Sequence, residues 1–224
     1  MEPSSREFTV LKDLFHKYPT LQTCSNSILN AFELMYTAFK ENNKMLVCGN
    51  GGSAADAEHI VGELMKGFSK RRVLTDQQQR DLYRIAPPEV AQYLAVHLDE
   101  ALPAISLVSQ TALLSAIAND LDSDVMYAQQ VFGYGKKGDV FLGISTSGNS
   151  NDVVLAAYTA KAHDMKVIAL TGQGGGTLAS IADVAIRVPQ TEVYQIQELH
   201  LPVYHALCMM LENKLFQGMS EIIK

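Results

Sequence analysis

The chain has 224 residues, 47% of them apolar and 19% charged, with a formal net charge of −6. That balance excludes a disordered chain and supplies enough apolar side chain for one α/β domain with a real core. The single basic cluster, "SKRR" at 69–72, reads as a solvated loop, so nucleic acid is not an expected partner. Uninterrupted apolar stretches are too short to span a bilayer, and the first fifteen residues lack the basic and apolar regions of a signal peptide. No membrane association is expected. Cys24, Cys48 and Cys208 are odd in number and widely spaced, which suits reduced thiols in a cytoplasm.

Helical periodicity runs over 5–16 and 24–42, where Ile28, Leu29, Phe32, Leu34, Met35 and Phe39 form a broad apolar face. A short buried strand follows at 44–48, then a Gly-rich turn and a helix over 53–68 with Ala57, Ile60, Val61 and Leu64 at helical spacing. Residues 69–102 are polar, carry Pro87-Pro88, and predict one or two surface helices. Strands are expected at 103–109, 139–145, 166–172 and 183–189, separated by helices over 111–119, 151–164 and 177–182, and a long helix closes the chain over 193–216. Apolar strands alternating with helices predict a doubly wound α/β fold: a five-stranded parallel sheet flanked by helices, with residues 1–43 as an extra N-terminal helical arm before the main domain at 44–224. Phe32, Met35, Phe39, Leu207, Met210 and Leu211 exceed what one sheet face needs and are candidates for an inter-subunit core.

Two predicted strand ends carry unusual chemistry. At "CGNGGSAADAEHIVGEL" (48–64) a strand, a glycine turn and a helix starting at Ser53 bring free amides and a positive dipole end to one place. At "STSGNS" (145–150) three serines and a threonine offer hydroxyl donors at the start of another helix. Ser, Thr, Asn and Gly also favour plain turns and N-caps, but two such loops on one sheet strengthen the phosphate reading. His59 and Glu63 lie four apart on one helix face, and Gln197 and His205 lie eight apart on another. Imidazole with carboxylate is a zinc-compatible set, although such pairs are also common solvated neighbours. Spacing does not choose between His200 and His205.

Taken in order, "CGNGGSAADAEH…GEL", "AIAND", "ISTSGNS" and "QIQELHLPVYHALC" closely resemble the phosphoheptose isomerases of the sugar isomerase (SIS) family over most of the chain. The resemblance implies the SIS fold and conversion of sedoheptulose 7-phosphate to D-glycero-D-manno-heptose 7-phosphate, in heptose precursor synthesis for lipopolysaccharide, capsule or S-layer. It implies substrate contacts at Asn50, Gly51, Gly52, Ser53, Glu63, Asn119, Asp120, Ser145, Thr146, Ser147, Ser150 and Gln197. It also implies a Zn2+ ion on His59, Glu63, Gln197 and His205, which selects His205 over His200, and acid/base roles for Glu63 and His205. A homotetramer with active sites completed across subunits goes with it. The chain departs from the family pattern in its long 69–102 segment and in Gly67, with Lys66 before it, where relatives often carry arginine. Two alternatives stand beside this reading: an isomerase of another phosphosugar, and a non-catalytic SIS module that binds a replication initiator. The catalytic-helix glutamate and the last histidine, both present here, argue against the module.

Overall fold

The computed structural model describes residues 6–216. Helix α1 (Arg6–Lys17) and a 3-10 turn (Pro19–Cys24) lead into α2 (Ser25–Lys40), β1 (Met45–Gly49) and α3 (Gly52–Met65). A helical hairpin follows, α4 (Asp76–Ile85) and α5 (Pro88–His97), then β2 (Ala104–Ser106), α6 (Thr111–Asp120) and α7 (Met126–Tyr134). The rest alternates β3 (Val140–Ile144), α8 (Asn151–Ala162), β4 (Lys166–Thr171), α9 (Gly176–Ile181), β5 (Val184–Arg187) and α10 (Val193–Leu215). Ser5, where the first predicted helix begins, lies outside the described residues.

All five strands are parallel, in the order β2-β1-β3-β4-β5. Every residue of β1 and β3 is buried, because helices cover both faces and the strands have no wet side. Met45, Val47, Leu142, Ile144, Ile168 and Leu170 face a core made with α1, α2, α3 and α10. Leu46, Cys48, Phe141, Val167 and Ala169 face the other core, closed by α7, α8 and α9. The expected strand at 103–109 contracts to three residues at the sheet edge.

Two expectations change. Phe32, Met35, Phe39, Leu207, Met210 and Leu211 are not a free face but the chain's own core, where α2 and α10 cross the sheet. Helices α1 and α2 pack on α10 and the sheet and share that core. "SKRR" is not a solvated loop, since Lys70 and Arg72 are buried, Arg72 completely. The 69–102 segment does form two helices. A Thr75–Gln78 capping box opens α4, Pro88 opens α5, and the hairpin buries only Ala91.

The strand order positions the site. From β1 the chain crosses to β2 on one side and then returns to β3 on the other, so the carboxyl ends of β1 and β3 flank the switch point where doubly wound sheets bind ligands.

Candidate functional site

Both Gly- and Ser-rich loops open at that crevice. After β1, the amides of Ser53 and Ala54 donate to the carbonyls of Asn50 and Gly51 and start α3 immediately. The amides of Gly51 and Gly52 therefore stand at the positive end of a fourteen-residue helix. The end of the Gln197 side chain lies against Gly52, where a Cβ would sit 2.6 Å from its Nε2. That contact brings Gln197 from α10 to the turn.

After β3, Ser145 Oγ accepts from the Gly148 amide (3.1 Å) and lies 3.0 Å from Ser150 Oγ. Ser147 Oγ accepts from the Asn149 amide at 3.1 Å. Ser150 occupies the N-cap of α8 without capping it, its hydroxyl turned to Ser145 instead. Backbone amides thus occupy an oxygen lone pair on each of Ser145 and Ser147 and leave their O–H groups free to donate. Gly148 adopts φ +67°, and a Cβ there would run into the Gly175 carbonyl, so only glycine closes the loop.

The two loops are tied together by residues the sequence reading missed. Asn50 Nδ2 donates to both Asp152 oxygens at 2.9 Å, while the Tyr127 hydroxyl reaches Asn50 Oδ1 (3.1 Å) and the Gly49 carbonyl (2.9 Å). The Asn50 side chain is therefore fully engaged, and what it offers a ligand is backbone. Burial, with the Asp152 carboxylate nearby, pushes the Tyr127 phenol well up, so it stays protonated as a donor. The acid in the first turn after "STSGNS" was the available signal for Asp152. Asn119 and Asp120 end α6 exposed and hydrogen-bonded to each other; among the described hydrogen bonds none joins them to either loop.

Further along α3 lies a second cluster. His59 Nε2 is 3.2 Å from Glu63 Oε1, and Lys66 Nζ is 3.3 Å from Glu63 Oε2. Tyr204 on α10 donates to Asp56 (3.2 Å), so its oxygen accepts from His59 Nδ1 (3.0 Å). With Nδ1 turned to Tyr204, Nε2 is the ring nitrogen of His59 that faces the Glu63 carboxylate. His205 stands edge-on to His59, ring centroids 5.0 Å apart, and its Nε2 is buried without a partner. Burial, reinforced by His59 and opposed by Glu63, lowers the His205 pKa. His205 also lines a cleft of about 350 Å³ between α1 and α10, with Leu14, Tyr18 and Leu201.

These donors fit zinc chemically. Two ligand atoms of a tetrahedral shell with 2.0–2.1 Å bonds stand about 3.3 Å apart, close to the His59–Glu63 separation, and His205 Nε2 is an orphan beside them. Among the described residues no three His, Cys, Asp or Glu side chains stand together as a finished metal site, so His205 has to turn to join the pair. Gln197 is placed apart, at the Gly52 turn, about 12 Å of helix rise from His205.

His200 is fully buried, and its ring nitrogens make no hydrogen bond of ordinary geometry. Burial pushes it down to about 4, against an opposing pull from the Thr171 backbone. Because the folded value lies below the unfolded one, stability is complete above about pH 6.5. It falls by about 3 kcal/mol as pH drops toward 4, the unfolded chain taking up a proton that the fold refuses. His205 adds in the same direction. We expect His200→Leu to flatten that limb in urea denaturation between pH 7 and 4.5; an equally steep loss in the variant would refute the assignment.

The fold is a doubly wound parallel sheet with a Gly-rich and a Ser-rich loop at its switch point, which defines an α/β protein of the kind that binds ligands at the carboxyl ends of its strands. Residues 12–79 and 93–172 match the SIS domain. The chain is 39% identical over 203 residues to the phosphoheptose isomerase of Shewanella baltica, covering 89% of both chains. Among solved structures it is similar to phosphoheptose isomerase GmhA from Neisseria gonorrhoeae (33% identity, TM-score 0.68, 90% of this chain and 94% of that one). It is also similar to a phosphoheptose isomerase from Francisella tularensis (29% identity, TM-score 0.69, 91% and 95%). The chain belongs to the SIS-domain family. Between the two matched stretches, residues 80–92 are the tip of the α4–α5 hairpin, and α10 lies beyond the second stretch.

Proposed function

We propose that this protein is an aldose–ketose isomerase that converts sedoheptulose 7-phosphate to D-glycero-D-manno-heptose 7-phosphate, a step in making heptose precursors. The observation that carries the reading is the pair of donor loops at the switch point with Glu63 and His205 on the two helices beside it. The similarity to proteins named phosphoheptose isomerase supplies the substrate.

Isomerisation takes a proton from C1 of the ketose, passes through an enediol, and returns a proton to C2. Glu63, with one face on His59, serves as the base at carbon. His205, kept largely neutral by burial, carries the proton between the two oxygens. Asn50, Gly51, Gly52 and Ser53 with Ser145, Thr146, Ser147 and Ser150 receive the phosphate, while Gln197 at the turn and Asn119 and Asp120 serve the sugar. A zinc ion held by His59, Glu63 and His205, with Gln197 the fourth member of the set, would supply a Lewis acid to the carbonyl oxygen.

The working unit is a homotetramer with sites at subunit interfaces. Supporting this, Met65 on α3 and Leu201 on α10, each within one turn of a cluster residue, expose apolar side chains. The compartment is the cytoplasm, supported by three free, buried cysteines. Among the described residues no helix is long and apolar enough to cross a membrane.

The test is to incubate purified protein with sedoheptulose 7-phosphate and with pentose and hexose ketose phosphates, following aldose product by NMR before and after chelation. We expect turnover of the heptulose phosphate, lost on chelation and restored by zinc. Turnover of another sugar alone would redirect the substrate, no turnover at all would favour a binding module, and full activity in protein shown metal-free by elemental analysis would remove zinc.

A further inference from the structure

The segment after α3 contains a charge pair that none of the roles above uses. Helix α3 stops at Met65, and Lys66 leaves it in an extended conformation, so the carbonyls of its last turn need other partners. Arg72 supplies them. Its Nη2 donates to the Glu63 carbonyl (3.0 Å) and its Nη1 to the Leu64 carbonyl (2.6 Å). Its third nitrogen, Nε, donates to Glu212 Oε1 on α10 at 2.9 Å. Both side chains are 0% exposed, and the guanidinium lies 4.9 Å over the Phe216 ring.

Glu212 in turn accepts from the amides of Phe68 (2.8 Å) and Ser69 (2.9 Å) and from the Ser69 hydroxyl. These bonds hold its carboxyl below the usual carboxylate range against the cost of burial, with Arg72 acting in the same direction. Fixing Phe68 has a consequence for the site, since its ring packs on His205 with centroids 5.4 Å apart. Glu212 lies two turns beyond His205 on the same face of α10.

We propose that Arg72 and Glu212 are positioning residues for the isomerase. The pair clamps the end of α3 at the backbone of Glu63, and through Phe68 it holds the ring of His205, so that the distance between base and proton carrier is set by one buried ion pair. The proposal rests on the roles given to Glu63 and His205 above. Its chemistry requires arginine: a planar fork bonds two carbonyls and a carboxylate at once, which a lysine ammonium in the same place does not reproduce.

Removing one partner would strand a buried charge and unfold the chain, so the test replaces both. Exchanging a buried ion pair for apolar side chains of similar volume is commonly neutral for stability, which makes Arg72→Met/Glu212→Leu the informative variant, with Arg72→Lys as a milder companion. We expect the double variant to keep the wild-type circular dichroism with a lowered melting temperature, because the Glu63 and Leu64 carbonyls and the Phe68 and Ser69 amides lose their partners. Well below that temperature kcat should fall about 10- to 100-fold, as misplacement of about 1 Å costs. KM for the phosphorylated sugar should stay within about two-fold, because the donor loops lie at the far end of α3. Arg72→Lys should fall between. Hydrogen exchange read by mass spectrometry gives a readout that needs no activity: faster exchange over residues 59–69, and no change over 50–53 or 145–151.

A folded double variant with wild-type kcat and wild-type exchange over 59–69 would overturn the proposal. So would losses that merely track the folded fraction, with exchange raised throughout. If the wild type itself fails to isomerise the sugar, the roles of Glu63 and His205 fall, and the exchange pattern alone decides whether Arg72 and Glu212 clamp α3 to α10.

Discussion

Glu63→Gln should lower kcat by about 10²–10⁴-fold, the usual contribution of a positioned general base, while leaving the fold intact. Glutamine keeps the shape and one carbonyl oxygen but has no basic site for a carbon-bound proton. The structural cost is small, because the partners of Glu63 are half-exposed His59 and exposed Lys66, which return to water when the carboxylate goes. Substrate KM should change little, since the loop proposed to receive the phosphate lies at the other end of α3. His205→Ala should give a loss of similar size, accompanied by some loss of stability where its ring packs on Phe68 and Tyr204. The measurement is steady-state turnover together with thermal melting. Near wild-type turnover in both variants would remove Glu63 and His205 from the chemistry, whatever metal is present.

The parts of this molecule that were legible in its sequence are those governed by local rules. The β1 turn was readable because glycines, a short apolar strand and a helix start each have a local signature, and His59 and Glu63 share a face by spacing alone. Alternation of strands and helices predicted five parallel strands, but not that β1 and β3 would be neighbours, because strand order depends on contacts far apart in the chain. The same limit explains the misreadings. An apolar face on α2 looks alike whether a second subunit or the chain's own sheet covers it, and the sheet does. A basic run reads as solvated until a distant carboxylate is known, and Glu212 lies 140 positions from Arg72. The partners of the Asn50 side chain, Asp152 and Tyr127, were hidden for the same reason, one lying about a hundred residues away. The metal set illustrates both cases: His59 with Glu63 follows from helix geometry, whereas the place of Gln197 beside Gly52 depends on how α10 crosses α3.

Replacing Ser145 and Ser147 together by alanine should raise KM for the phosphorylated sugar strongly, by about a hundred-fold or more. Neither loop contains lysine or arginine, so neutral donors have to balance a dianion: hydroxyls at Ser53, Ser145, Ser147 and Ser150, and amides at two helix starts. A hydrogen bond to a charged acceptor is worth about 1.5–3 kcal/mol, and each step of about 1.4 kcal/mol is tenfold. The same hydroxyl oxygens also hold the amides of Gly148 and Asn149, so the variant loosens the loop as well as removing donors. A comparison between sugars separates those two effects. Sugar lacking its phosphate should be a poor substrate for the wild type and lose little more in the double variant; equal losses with and without phosphate would mean that the serines only shape the turn. The same variant examines the proposed sharing of sites between subunits. Mixed with Glu63→Gln protein after dissociation and reassembly, it should recover turnover if the phosphate loop of one subunit serves the acid/base pair of another. Recovery is impossible if each chain carries a whole site, because every site in the mixture would then lack either its base or its phosphate donors.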